Sequence, residues 1–180
     1  MLKQSVSVRS GSLVRIVREK YFMPIMAFLL LTLMSTAVCF AGVSEDEIGI
    51  GGITFHSSAD YVKSVYGEPD RVTSSNGSVI YDGPEQYYIY GNSFKLEIGG
   101  NKVVHMSTTA NNGLGTPAGV TVGMDRKILD TLYGSPKNIM RDKNGYITGY
   151  YYRSERGNYI GLRFDIRFGK ITAIYAGAFD

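Results

Sequence analysis

The sequence of 180 residues is short of the side chains that carry most enzyme chemistry, because it has one cysteine and two histidines. A single cysteine excludes a disulfide framework and a zinc site built on cysteine ligands. No HExxH, GxSxG, P-loop or CxxC pattern occurs, so the sequence offers no nucleophile, base or metal constellation. We therefore predict no catalytic residue, no metal site and no cofactor, and we interpret His56 and His105 as surface or loop histidines.

Clustered positive charge is also lacking outside the first residues. The chain has 19 Lys and Arg against 16 Asp and Glu, a net charge of +3. Five of those bases and one of the acids lie in the first 20 positions, which leaves 14 basic and 15 acidic residues from Gly42 onward. A nucleic-acid surface needs clustered Lys and Arg to displace phosphate counterions. The sequence therefore predicts no nucleic-acid partner.

Residues 1–41 have the order of a secretory signal, with a basic start, an apolar centre and small residues at the end. Cys39 and Ala41 stand at −3 and −1 of a cut before Gly42. We expect an extracytoplasmic protein, periplasmic or secreted, after cleavage near Ala41. Two alternatives stay open. About 20 apolar residues span a bilayer, so residues 21–41 could remain as an inner-membrane anchor, and Cys39 could instead carry lipid.

After this leader the sequence repeats itself. GITF at 52–55 recurs 67 residues later as GVTV at 119–122, and YGEP at 66–69 recurs at the same offset as YGSP at 133–136. Similarity at a fixed period is typical of a repeated structural unit. We therefore predict a signal peptide or anchor at 1–41, repeat one at 42–109, a linker at 110–118 and repeat two at 119–180.

Each repeat is predicted to begin with a short helix. Ser58 and Asp125 can cap the first turns, and Gly67 and Gly134 can end the helices in a left-handed conformation. Such short helices must pack on something to be stable. Their predicted apolar faces consist of positions 61, 62 and 65 in repeat one and 128, 129 and 132 in repeat two.

A sheet is the predicted support for both helices. Apolar and polar residues alternate at 94–98 and again at 162–168, as in strands with one buried face. The predicted fold class is α+β, with two tandem repeats, each a short helix packed on an antiparallel sheet of three to four strands. Each repeat has roughly 65 residues, near the lower limit for independent stability, so we expect the two to share a core or one continuous sheet.

The order of Gly-Ile/Val-Thr, short helix, Tyr-Gly-x-Pro and a tyrosine-rich sheet resembles the SmpA/OmlA (BamE)-type envelope modules. It is also similar to the tandem repeats of β-lactamase inhibitor protein. The resemblance covers residues 50–109 and 119–177, nearly all of the chain after the leader. It implies a secreted or periplasmic, non-enzymatic protein whose partner is another envelope or secreted protein.

Tyrosine is plentiful, with 14 in the chain. Consecutive strand residues point to opposite faces, so each tyrosine cluster should place at least one ring outside the core. Tyrosine is favoured at protein interfaces, although it also suits a half-buried sheet. The candidate partner-binding residues are Tyr87, Tyr88, Tyr90, Tyr150, Tyr151, Tyr152, Arg163 and Arg167.

These observations predict a non-enzymatic, extracytoplasmic protein-binding module of the bacterial cell envelope, which binds through a Tyr/Arg-rich sheet face. One alternative is a membrane-anchored structural envelope protein. The other is a carbohydrate-binding or inhibitor protein, because aromatic faces also stack on sugars.

Overall fold

A computed structural model describes residues 42–75, 83–157 and 159–179 of the chain. The described part begins with a short 3-10 helix at Glu45–Glu47. Its α-helices are α1 (Ala59–Tyr66) and α2 (Lys127–Tyr133). Its strands are β1 (Gly49–Ile50), β2 (Ile53–Thr54), β3 (Arg71–Ser75), β4 (Glu85–Tyr90), β5 (Phe94–Gly99), β6 (Lys102–Thr108), β7 (Asn138–Arg141), β8 (Ile147–Arg153), β9 (Ile160–Arg167) and β10 (Lys170–Ala178).

Both helices begin and end where the local sequence predicts. The Ser58 hydroxyl accepts a hydrogen bond from the Tyr61 amide at 3.1 Å, which satisfies a free amide of the first turn. Asp125 Oδ1 accepts one from the first amide of α2 at 3.0 Å. Gly67 and Gly134 follow the helices with φ of 77° and 67°, a conformation that glycine adopts at little cost. The predicted cap at Ser58 and both glycine stops are confirmed, whereas the N-cap of α2 is Arg126 and Asp125 precedes it.

The predicted packing faces of the helices are only partly right. Val62 and Leu129 are fully buried, as expected. In α1, however, the residue that shares the buried face with Val62 is Ala59, because positions three apart lie on one side of a helix. The predicted face residues that are exposed instead are Tyr61, Val65 and Leu132.

The strands β3 to β10 form one antiparallel sheet in the order β3-β4-β5-β6-β10-β9-β8-β7. The first group of strands comes from repeat one and the second group from repeat two. They meet where β6 pairs with β10, in a register that runs from Thr108 opposite Ile174 to His105 opposite Gly177. We call this β6–β10 junction the seam. Strands β1 and β2 form a separate two-stranded sheet.

The predicted fold class is therefore wrong. An α+β chain of two tandem repeats would place each helix on its own sheet of three to four strands. The described chain is instead mostly β, with one eight-stranded sheet and two short helices. The physical reason is the seam, because β6 and β10 satisfy each other's backbone hydrogen bonds and neither is left as a free edge. The expectation of one continuous sheet is confirmed.

One face of this sheet carries the core, and we call it the covered face. The helices contact it through aromatic pairs such as Tyr66 with Phe94, at 5.2 Å between ring centroids, and Tyr133 with Phe164, at 5.7 Å. The opposite side of the sheet is the open face. One buried row of covered-face residues, matched in register from β4 to β8, consists of Tyr88, Leu96, Met106, Ala176, Leu162 and Tyr152.

The remaining predictions concern the leader and the linker. The predicted signal or anchor at 1–41, with Cys39, lies outside the described residues. Within the described residues, none of the helices has the length and apolar character needed to cross a membrane. Thr116, in the predicted linker at 110–118, is buried and shares a hydrogen bond of 2.7 Å with the Tyr133 hydroxyl.

Candidate functional site

Strand register divides the predicted partner-binding residues equally between the two faces. Residues that stand opposite each other on neighbouring strands share a face, and alternation assigns the rest. The covered face holds Tyr88, Tyr90, Tyr150 and Tyr152. The open face holds Tyr87, Tyr151, Arg163 and Arg167.

The covered-face tyrosines belong to the core and its margin. Tyr88, Tyr150 and Tyr152 are buried. The Tyr150 hydroxyl accepts a hydrogen bond from Arg126. Tyr90, at the margin, donates its hydroxyl to the Gly67 carbonyl at 3.0 Å. These rings support the helices, so a partner that approaches the open face does not reach them.

Around Tyr151 the open face carries a group of half-buried side chains, which we call the open-face cluster: His105, Tyr151, Arg163, Tyr175 and Phe179. The Phe179 ring stands edge-on to both His105 and Tyr151, with centroids 5.3 Å and 5.4 Å away. Tyr175 lies 6.1 Å from His105. The Arg163 guanidinium stacks on the Tyr175 ring, with Cζ 4.0 Å from the centroid, which is a favourable cation–π distance.

Two glycines make room for this cluster. A Cβ atom on Gly161 would lie 3.1 Å from Cε2 of Tyr151 and 2.1 Å from the Tyr152 carbonyl oxygen. Gly177 has φ of 127°, and a Cβ there would lie 2.7 Å from the His105 Cα atom. The aromatic side chains therefore pack close to bare backbone, which a larger residue at either position would prevent.

Charges on the open face are held against the rings. Asp165 binds both neighbours, with Oδ1 3.3 Å from Arg163 Nε and Oδ2 accepting a hydrogen bond of 3.1 Å from the Tyr175 hydroxyl. Lys95 lies over the Tyr87 ring, with Nζ 3.9 Å from the centroid. Burial, reinforced by Asp165, raises the pKa of Tyr175. The face thus presents fixed aromatic, cationic and carboxylate groups side by side.

His105 corrects one prediction from the sequence. His56 is exposed in a turn, with φ of 66°, as expected of a surface histidine. His105 lies on β6 and is half-buried in the open-face cluster. Burial, followed by the positive charges of Arg163 and Lys95, lowers the pKa of His105 from 6.5 to about 4. The imidazole is therefore neutral at pH 7.

Sequence reasoning missed His105, Tyr175 and Phe179. A signal for Tyr175 was present, because it alternates along β10 with the buried Ile174 and Ala176, the pattern that assigns a residue to the opposite face. In the described ranges, no group of three or more His, Cys, Asp or Glu side chains could hold a metal ion.

No protein-family model and no curated protein matches the chain. Among solved structures, it is similar to an extracellular protein containing a SCP domain from Bacillus anthracis, with TM-score 0.47 and 9% identity over 98% of this chain and 50% of that chain. A DUF4309 family protein from Bacillus subtilis has TM-score 0.44 and 16% identity over 71% of this chain and 82% of that one. A cysteine-rich secretory protein from Staphylococcus aureus has TM-score 0.46 and 10% identity, over 69% and 43%. The chain thus spans half the length of the first of these.

Proposed function

We propose that this chain is a non-enzymatic, extracytoplasmic protein-binding module of the bacterial cell envelope, and that it binds its partner through the open face of the sheet. The observation that carries the proposal is the open-face cluster, a set of aromatic and cationic side chains on the face opposite the helices. The extracytoplasmic location rests on the order of charged, apolar and small residues in 1–41.

The cluster supports binding because its groups are already fixed. Tyr and Arg supply a large share of the energy at protein interfaces, and side chains that are ordered beforehand lose little entropy on binding. Phe179 holds Tyr151 from one side, and Asp165 holds Arg163. A protein surface that brings apolar groups and hydrogen-bond partners to this face finds all of them in place.

The same geometry favours a protein over a sugar as the partner. Stacking on a saccharide needs a free aromatic face, whereas Lys95 and Arg163 already lie over the rings of Tyr87 and Tyr175. A glycan array tests the carbohydrate alternative, which gains support from a hit that is lost in Tyr151→Ser.

The structural-anchor alternative depends on residues 1–41, and the N-terminus of the protein recovered from envelopes tests it. A start at Gly42 contradicts an anchor.

Site-specific photo-crosslinking tests which face meets the partner. The crosslinker p-benzoylphenylalanine replaces Tyr87 on the open face or, as a matched control, Tyr61, which is 48% exposed on α1. We expect an adduct of one defined mass from position 87 and none from position 61. An adduct from position 61 alone would show that the partner binds the helical side and would contradict the proposal.

Substitution gives an independent test with the partner identified by crosslinking. Tyr151→Ser combined with Arg163→Ala should weaken binding more than tenfold, because hot-spot residues each contribute about 2 kcal/mol or more. Tyr61→Ser is the matched control and should bind as the wild type does. Thermal unfolding verifies that each variant is folded. A folded double variant with wild-type affinity would rule out the open face as the binding surface.

A further inference from the structure

Two strongly exposed aromatic residues stand at the same end of the sheet, outside the open-face cluster. Phe168, in the turn between β9 and β10, is 91% exposed, and Tyr146, at the end of the turn between β7 and β8, is 72% exposed. Strands β8 and β9 pair with Gly149 opposite Asp165. Tyr146 precedes β8 and Phe168 follows β9, so both lie beyond this pair, at the same end of the sheet. We call residues 141–147 and 167–170 the tip.

The tip is basic, although the chain from Gly42 onward has one more acid than bases. Its acid is Asp142, and its bases are Arg141, Lys143, Arg167 and Lys170. Lys170 Nζ lies 3.7 Å from Asp125 Oδ2, an exposed pair that water screens. Arg167 Cζ lies 5.2 Å from the centre of the Phe168 ring, so a positive charge stands directly beside the most exposed apolar group.

An acidic segment lies at the opposite end of the sheet. There Val43 bridges to Ser154 and leads directly into the acidic residues of 45–47. Glu155 follows Ser154 in the connection between β8 and β9, where Arg153 and Arg156 flank this pair. Along the direction of the strands, the sheet therefore runs from an end that carries an acidic segment to a basic, aromatic tip.

The turn that carries Tyr146 is also fixed. Asp142 Oδ1 accepts hydrogen bonds from the amides of Asn144 and Tyr146, at 2.8 Å and 2.9 Å. Arg141 donates to the Gly145 carbonyl at 2.9 Å. Because this turn is already closed, exposing its aromatic ring to a binding surface requires little ordering of the backbone.

From this juxtaposition we propose that the tip docks on an anionic lipid surface, with Phe168 and Tyr146 at headgroup level and the bases against lipid phosphates. Aromatic rings favour the membrane–water interface, and each Lys or Arg near anionic lipid adds attraction. A few protruding rings surrounded by positive charge are complementary to a layer of lipid headgroups. A protein interface would instead need a broad apolar patch at its centre. The inference uses a different part of the sheet from the open-face cluster, although Arg167 of the tip is also one of the predicted partner-binding residues.

The absence of tryptophan from the chain makes a fluorescence test specific. In the form that begins at Gly42, which contains the whole described core, Phe168→Trp introduces a single tryptophan at the tip. Its emission should shift to the blue with vesicles of equal parts phosphatidylcholine and phosphatidylglycerol, and should not shift with phosphatidylcholine alone. Tyr159→Trp is the matched control, because Tyr159 is 68% exposed near the acidic end. Its emission should stay unchanged.

Co-sedimentation with the same anionic vesicles tests the side chains directly. Phe168→Ser with Tyr146→Ser, and separately Lys143→Glu with Arg167→Glu, should each weaken vesicle binding by about tenfold or more. Both variants should unfold at the wild-type temperature, because these side chains are exposed. A wild-type chain that ignores anionic vesicles, or a serine variant that binds like the wild type, overturns the proposal. So does loss of capture of a partner protein in the serine variant while vesicle binding persists.

Discussion

Acid should weaken this fold through His105. Its pKa in the folded chain is lowered from 6.5 to about 4 by burial and by the charges of Arg163 and Lys95. Between these two values the unfolded chain binds a proton that the folded chain does not, so the free energy of unfolding falls as the pH falls. Linkage predicts that the free energy of unfolding falls by about 2 kcal/mol between pH 7 and about pH 5, and by about 3 kcal/mol once the pH is below the pKa of His105 in the folded chain.

Urea unfolding of the form that begins at Gly42 measures this loss. Carboxylates also begin to titrate in this range, so the informative quantity is the difference between the wild type and His105→Phe, which keeps a ring beside Phe179 without a titrating group. The variant should lose about 2 kcal/mol less than the wild type on going from pH 7 to about pH 5. His56→Gln is the matched control, because His56 is exposed, and it should follow the wild-type profile.

Equal pH-dependent losses in the wild type and His105→Phe would refute the reasoning. Such a result would mean that the buried imidazole accepts a proton in the folded state without cost. A His56→Gln profile that matched that of His105→Phe would equally contradict it, because the pH dependence would then not be specific to His105.

The remaining predictions concern stability and are measured by urea unfolding at neutral pH. The buried Tyr152 hydroxyl has no hydrogen-bond partner in the described structure, so Tyr152→Phe should raise the free energy of unfolding by about 1 kcal/mol. Tyr150→Phe should instead lower it by about 1 kcal/mol, because this substitution leaves Arg126 without its acceptor. A destabilised Tyr152→Phe would contradict this. Ser58→Ala should lower stability by about 1 kcal/mol through the lost cap, while Ser64→Ala, in the same helix, should change it by less than about 0.5 kcal/mol. Equal effects of the two serine variants would show that the cap contributes nothing.

The parts of the fold that could be predicted are those set within a few residues. Ser58 and Gly67 determine the limits of α1 by local hydrogen bonding and backbone freedom. The seam could not be predicted in this way, because Thr108 and Ile174 pair across 66 positions of the chain and no local period reports which strands will meet. Repetition in sequence therefore predicts two units of helix on sheet, whereas the strands join in one open sheet.

The candidate site was predictable to a similar degree. Alternation predicts that a run of tyrosines divides between two faces, but only the pairing of Tyr151 with Arg163 identifies the ring on the open face. The position of His105 on the open face was harder to predict, because the β5–β6 register shifts between Glu97 and Ile98. The shift buries both Val103 and Val104 and interrupts the period from which the face of His105 would be read.

The position of the open-face cluster on the seam has a mechanical consequence. His105 comes from β6, whereas Tyr175 and Arg163 come from β10 and β9. A partner bound to these residues would therefore contact strands on both sides of the seam. Separating β6 from β10 would then also require the partner to be released, and binding would stabilise the folded chain by RT ln(1 + [L]/Kd). The force needed to separate β6 from β10 in a single-molecule pulling experiment would therefore report occupancy of the open face without any label on the partner.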